Sequence, residues 1–353
     1  MKSPRLLLLF TPLVIVVMLL PTWLLTVRVA SPDPVPVTRP LSSPEPTPEP
    51  TPAPTPVPTP DPAERYAQAM ALLYSRRLRQ AAALLEPLGD YADSARWLRY
   101  CLRHADDPAP SETLLSEVLY RPKHDHGTLY TVHDAIFYVP DVIDAETAFV
   151  FYYPGDTVKG EVPLNVSAAV DYVCDFEPNA VCYFSYYTSS REVEQKNRSS
   201  WELAEQLMQA CSMVPHKLYI VGTSNGFYTA LRLAVQLVRE EELPLRCVMS
   251  WDAGEDWSKT ERLPSDEELA LLSEAGVRLE LFEQRQFDTG REVIQRLVRA
   301  GLPVELIECS DGGHEAITDY AFRLGAISWM LGDISLHEVM YTVTPVTEKE
   351  ELP

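Results

Sequence analysis

Residues 217–230 read KLYIVGTSNGFYTA. An apolar run from Leu218 to Val221 ends in Gly222-Thr223-Ser224-Asn225-Gly226, and an apolar-faced helical pattern begins at once. A strand passing into a helix over so few residues needs a sharp, crowded turn. Glycines on either side of the serine remove the Cβ atoms that would block it. The spacing G-x-S-x-G arises often by chance, and its strand–turn–helix setting is what gives it weight. In that setting Ser224 Oγ stands above the sheet edge, and the backbone N–H of Asn225 points at the same space as a donor to an oxyanion. A simple tight βα turn is the plainer reading of the same residues.

Outward from this turn, strand and helix patterns alternate. Strands are expected over 129–139, 146–153, 181–187, 217–222, 245–251, 277–283 and 303–309. Helices are expected over 166–175, 200–212, 225–240, 265–275, 288–300 and 315–331. Strands spaced by amphipathic helices imply βαβ units, and runs such as KLYIVG and RCVMSW are apolar almost throughout, as strands covered on both faces should be. The fold class is therefore α/β, with a mostly parallel, doubly covered sheet.

A serine hydroxyl needs a base, and the base needs an orienting acid. After the strand VELIEC comes Ser310-Asp311-Gly312-Gly313-His314. Of the seven histidines, His314 alone sits at the C-terminal end of an expected strand, at the same sheet edge as Ser224. Asp288 follows the strand at 277–283 and gives the chain order Ser, Asp, His; its plainer role is a helix N-cap. Asp252, at the end of RCVMSW, is the alternative acid, and Glu283 is a further rival.

With these residues in place, residues 125–335 resemble the α/β-hydrolase superfamily. The resemblance implies a serine hydrolase cleaving an ester, thioester or amide bond through an acyl-enzyme. Ser224 would be the nucleophile, His314 the proton carrier and Asp288 the residue that holds the imidazolium. It also implies a second oxyanion donor after an earlier strand. Here that strand ends Tyr153-Pro154-Gly155-Asp156, which makes the backbone N–H of Gly155 or Asp156 the candidate. No His-Gly pair or Gly-Gly run occurs there, and Pro154 has no N–H to offer. The aromatic residues Tyr152, Tyr153, Phe227 and Tyr228 suggest an apolar or planar acyl group, or else packing. The implied partner is a small-molecule or lipid-like acyl substrate, with no cofactor and no metal. The rival class is a catalytically inactive hydrolase-fold surface protein that serves as a binding or scaffold module.

The N-terminal segments have their own logic. Lys2 and Arg5 precede Leu6–Val27, a run without charge that spans roughly 30 Å as a helix, the thickness of a hydrocarbon core. Residues 1–30 read as an uncleaved signal anchor, with the following domains outside the membrane. Fourteen of the 31 prolines lie between Pro32 and Pro62, so residues 31–62 form an extended polyproline stalk, reaching roughly 100 Å at full stretch. Residues 63–107 carry two helical patterns and a third, with Tyr66, Ala69, Leu72 and Leu73 on one face, Ala81, Leu84, Leu85 and Leu88 on the next, and Ala95, Leu98 and Leu102 on the last. This unit resembles a tetratricopeptide-type hairpin with a capping helix, which implies a protein partner or else packing on its neighbour. Residues 336–353 read as a loose tail.

A net charge of −21 and a pI near 4.7 exclude nucleic acid as a partner, because phosphate backbones need clustered Lys and Arg. His124-Asp125-His126 is a short polar loop rather than a metal site. The six cysteines lack zinc spacing, though Cys174 and Cys182 flank one loop closely enough to pair. Asn165 and Asn197 fit the glycosylation pattern.

Overall fold

The computed structural model describes residues 61–120, 126–133, 135–155, 164–186, 193–241, 243–253, 262–284, 291–309, 325–332 and 341–346. Three helices come first: α1 Pro62–Tyr74, α2 Leu78–Leu85 and α3 Ser94–His104. The sheet strands are β1 Val118–Tyr120, β2 Gly127–Val132, β3 Ala135–Pro140, β4 Ala148–Tyr153, β5 Ala180–Ser185, β6 Leu218–Thr223, β7 Leu245–Trp251, β8 Arg278–Gln284, β9 Val304–Cys309 and β10 Tyr341–Val346. Between them run α4 Leu164–Phe176, α5 Val193–Ala210, α6 Gly226–Gln236, α7 Asp266–Glu274, α8 Arg291–Arg299 and α9 Ala326–Leu331.

The ten strands form one sheet in the order β1-β2-β3-β5-β4-β6-β7-β8-β9-β10. The six from β5 to β9 in that order are parallel; β1, β2 and β3 join one edge antiparallel, and β10 joins the other. This is a mostly parallel α/β sheet, as its alternating sequence pattern requires. Alternate residues of each central strand feed two separate cores. Phe149, Phe151, Ile220, Val248 and Leu281 face α5, α6, α7 and α8. Val150, Tyr152, Val221, Met249 and Phe282 face α4 and α9. Both sides are covered, which is why β4, β5 and β6 are buried at every position.

Several expectations need correction. The single strand expected over 129–139 is a hairpin, because His133 adopts a left-handed φ of 48° and Val132 pairs with Ala135 across a two-residue turn. The helix expected at 200–212 begins seven residues earlier, at Val193. The tail is not loose throughout: YTVTPV pairs antiparallel along the outer edge of β9, with Pro345 on the edge strand, where a missing N–H is tolerated. The sheet domain therefore extends beyond 125–335, to β1 on one side and β10 on the other. Helix α3 buries Ser94, Trp97 and Cys101 rather than Ala95, Leu98 and Leu102; Leu102 is 64% exposed. Asp93 occupies the N-cap position without capping, because its carboxylate accepts from Tyr66 Oη and from Trp97 Nε1 (2.9 Å). Cys174 and Cys182 are free thiols. Asn197 is buried at 1% exposure, accepting from Tyr153 Oη and donating to the Thr229 carbonyl, so it is no glycan acceptor.

The three N-terminal helices share one apolar cluster, Ala69, Leu73, Leu78, Leu85, Trp97 and Cys101, and it also takes in Val214 just beyond α5. Tyr74 meets His216 edge to face, and Tyr100 bridges this cluster and the sheet core. The helices thus form a buttress on the sheet domain. No helix among the described residues is long and apolar enough to cross a membrane; the expected anchor and the stalk up to residue 60 lie outside those residues.

One charge is placed at a cost inside the sheet. Glu280 on β8 is 2% exposed; its Oε1 meets Arg278 at 3.2 Å, and its Oε2 has no partner among the described residues. Burial, together with Glu305 on β9 and against the opposing pull of Arg278, raises its pKa from 4.5 to about 7. A folded-state pKa above the unfolded value makes the folded state hold the extra proton. Stability should therefore fall by roughly 3 kcal/mol as pH rises from about 4.5 to 7. Urea titrations of Glu280→Gln should lose that slope and surpass the wild type above pH 7.

Candidate active site

The sheet reverses direction between β4 and β6. From β4 the chain leaves to α4 on one face and goes on to β5; from β6 it leaves to α6 on the other face and goes on to β7. Loops that part in opposite directions open a crevice at the carboxyl ends of these two strands, where ligands bind in open α/β sheets. Ser224 stands at the end of β6 and Gly155 just past the end of β4. The reversal brings to one crevice two segments that lie far apart in the chain.

Ser224 is half-buried and holds a left-handed φ of 51°. Such a conformation costs on the order of 1–3 kcal/mol for a non-glycine residue and persists only where neighbours impose it. Here its N–H donates to the Trp251 carbonyl at 2.9 Å, and its own carbonyl accepts from Phe227 N–H at 3.1 Å. The flanking glycines are sterically obligatory. A Cβ on Gly222 would lie 2.5 Å from the Phe227 backbone, and one on Gly226 would lie 2.5 Å from the Pro154 carbonyl and 2.7 Å from that of Tyr153. The end of β4 therefore rests directly on the start of α6.

Asn225 is the N-cap of α6, yet its side chain makes no capping bond; its Oδ1 accepts from Arg262 Nη1 at 3.0 Å. Arg262 is held in turn by its carbonyl, which accepts from Arg232 Nε. Neither contact was legible in the sequence. Gly155 and Pro154 are buried, while Asp156 lies outside the described residues. The four aromatic residues are packing rather than an acyl pocket, since Tyr152, Tyr153, Phe227 and Tyr228 are at most 3% exposed. Tyr152 Oη shares a hydrogen bond with Thr223 Oγ1 at 2.9 Å, tying β4 to the residue before Ser224, and burial drives its phenol pKa well up.

Asp252 follows β7 immediately. It is 1% exposed, has a left-handed φ of 47°, and donates its N–H to the Phe282 carbonyl at 2.7 Å. Two strained non-glycine residues thus end two adjacent strands, with Ser224 bonded to the residue before Asp252. Glu283 is fully buried at the end of β8, where its Oε1 accepts from Ala253 N–H at 3.2 Å and Ser250 Oγ at 3.4 Å. That carboxylate ties two strand ends together, a structural role. Asp288 and His314 lie outside the described residues. Of the sequence-predicted residues, the structure brings Ser224, Asn225, Gly155 and Asp252 to one edge of the sheet. Among the described residues, no group of three His, Cys, Asp or Glu could hold a metal ion.

No family model matches this sequence, and no curated protein matches it. Among solved structures, it is similar to carboxyl esterase 2 (TmelEST2) from the mycorrhizal fungus Tuber melanosporum, at 14% identity and a TM-score of 0.41, over 68% of this chain and 98% of that one. It is also similar to a thermostable esterase from Pseudomonas putida, at 15% identity and a TM-score of 0.42, over 76% and 93%. A third is LpqC, a poly(3-hydroxybutyrate) depolymerase from Bordetella parapertussis, at 14% identity and a TM-score of 0.44, over 65% and 96%.

The crowding at the elbow is directly testable. Gly226→Ala should lower stability by about 1–3 kcal/mol in urea unfolding, because its methyl meets backbone that cannot rotate away. Gly89→Ala, where a Cβ would meet nothing within 4 Å, carries only the strain of its positive φ and should cost less.

Proposed function

We propose that the chain is a serine hydrolase that cleaves ester bonds, thioester and amide bonds being the chemically related alternatives. It is tethered to a membrane by residues 1–30, with the sheet domain held outside on the stalk at 31–62. The observation that carries the reading is Ser224, held at φ 51° between β6 and α6 by a turn that admits only glycine on either side.

In this mechanism Ser224 Oγ attacks the substrate carbonyl while His314 takes its proton. The tetrahedral oxyanion is met by the N–H of Asn225 and by that of Gly155 or Asp156. Collapse of the intermediate expels the alcohol, which leaves with the proton from His314. Water, activated by the same imidazole, then hydrolyses the acyl-enzyme. Asp288 holds the imidazolium, and Asp252 is the alternative acid; its support is its burial one residue beyond the carbonyl that anchors Ser224. A non-catalytic reading draws on Pro154, which supplies no N–H and turns its carbonyl toward the elbow.

A fluorophosphonate probe on the full chain decides between them. Labelling that disappears in Ser224→Ala establishes an activated serine, whereas folded protein that refuses the probe sinks the hydrolase reading. Between Asp288→Asn and Asp252→Asn, the substitution at the true orienting acid should lower kcat by roughly a thousandfold or more, and the other should leave most activity intact.

A further inference from the structure

A second concave site lies where the helical buttress meets the sheet domain, and it shares no residue with the elbow. It is a cavity of about 530 Å³ whose lining includes Arg76, Arg77, Arg79, His104, Asp107 and Gln209. That volume falls within the range of small-ligand pockets. The segment from α1 to α3, residues 62–104, carries seven arginines against four acidic residues, in a chain whose net charge is −21. Three of those seven line this one cavity.

The arginines surround the N-terminus of α2. Arg77 is the N-cap and provides no side-chain cap; its carbonyl accepts from the N–H groups of Gln80 and Ala81, which leaves those of Leu78 and Arg79, both in the cavity lining, at the positive end of the helix. Arg77 is exposed, and its guanidinium has no hydrogen-bond or ion-pair partner among the described residues. Arg79 pairs with Asp106, but both are more than 75% exposed, which makes that pair weak and exchangeable. Arg76 is oriented by the Tyr100 hydroxyl, accepting from its Nη1 at 2.9 Å. The one carboxylate in the lining, Asp107, is engaged by His104 Nδ1 at 2.7 Å and by Gln209 Nε2 at 3.2 Å. The cavity thus offers forked guanidinium donors and an uncapped helix end, with its only lining anion already satisfied.

We propose that this cavity binds the phosphate group of a small anionic ligand, with Arg77 and Arg79 as its principal contacts. Guanidinium forks match phosphate oxygens two at a time, and a helix N-terminus adds amide donors and dipole. The phosphate can come from a free phosphate compound or from a glycerophosphate headgroup, and the two differ in what surrounds the same charge. Since the ligand would touch both α2 and the end of α5, binding would also fasten the buttress to the sheet domain.

Titration calorimetry of the full chain with inorganic pyrophosphate, glycerol phosphate and acetate tests this. The expected result is saturable one-to-one binding of at least one phosphate compound, weakening as salt increases. It should weaken by about tenfold in Arg77→Ala and again in Arg79→Ala. The tighter of the two phosphate ligands identifies the source. Ser224→Ala should bind as well as the wild type, which separates this site from the elbow whether or not the chain is a hydrolase. Neither arginine makes a buried contact, so both variants should keep the wild-type melting temperature. The proposal is overturned by any of three results: no saturation below about 10 mM, acetate binding as tightly as the phosphates, or affinity unchanged in both arginine variants.

Discussion

The start of α6 touches the end of β4 so closely that no side chain fits between them. The carbonyls of Tyr153 and Pro154 occupy the space a Cβ on Gly226 would need. This contact fixes the height at which α6 begins, and with it the position of Ser224 two residues earlier. It also fixes where the chain beyond Tyr153 must run, since Pro154 cannot swing away without losing the contact. Ser224 and the segment just past β4 are therefore positioned by one steric constraint rather than by two separate ones.

Strain at this edge is balanced by the sheet beneath it. Ser224 and Asp252 both hold left-handed backbone, and each is clamped by a hydrogen bond from its own N–H to the neighbouring strand's last residues. Below them lie Trp251, Phe282, Phe227 and Tyr152, all but excluded from solvent. Burying side chains of that size contributes about 1.5–3 kcal/mol each, so the packing under the edge exceeds the strain stored on it. Hydrogen bonds between the Tyr152 and Thr223 hydroxyls and from the Ala253 N–H to the Glu283 carboxylate pin the same layer from either side. Such a layer gives a reacting group a fixed direction, which loops alone do not provide.

The elbow was legible because its constraint is local: strand, turn and helix fall within fourteen residues, and glycine is visible as a letter. The same is true of the α/β class, since apolar runs of doubly covered strands need no partner to be recognised. The hairpin at β2 and β3 was missed because His133 takes a left-handed turn that histidine does not advertise. The strand β10 was missed because an edge strand with a proline resembles a tail until its neighbour is known. The buried face of α3 was misjudged for a chemical reason: Trp97 and Cys101 reach the interior together with an aspartate that accepts the indole N–H. A periodicity of leucines pointed elsewhere. The switch point between β4 and β6 is set by strand order, which no single stretch encodes.

The helical buttress shows how a chain so acidic can still concentrate positive charge. Its contact with the sheet domain is apolar at the centre, through Val214, Leu73 and Trp97, where charge would be costly to bury. His216 fits this rule: burial lowers its pKa, so it packs against Tyr74 as a neutral ring. Charges are consequently displaced to the rim of the seam, where His104, Asp107 and Gln209 interlock across the two parts. The arginines of the α1–α2 turn fall on that rim beside an uncapped helix end. A seam that is dry inside and polar outside leaves an open, positively charged recess at its border, and that recess follows from the way the buttress is attached.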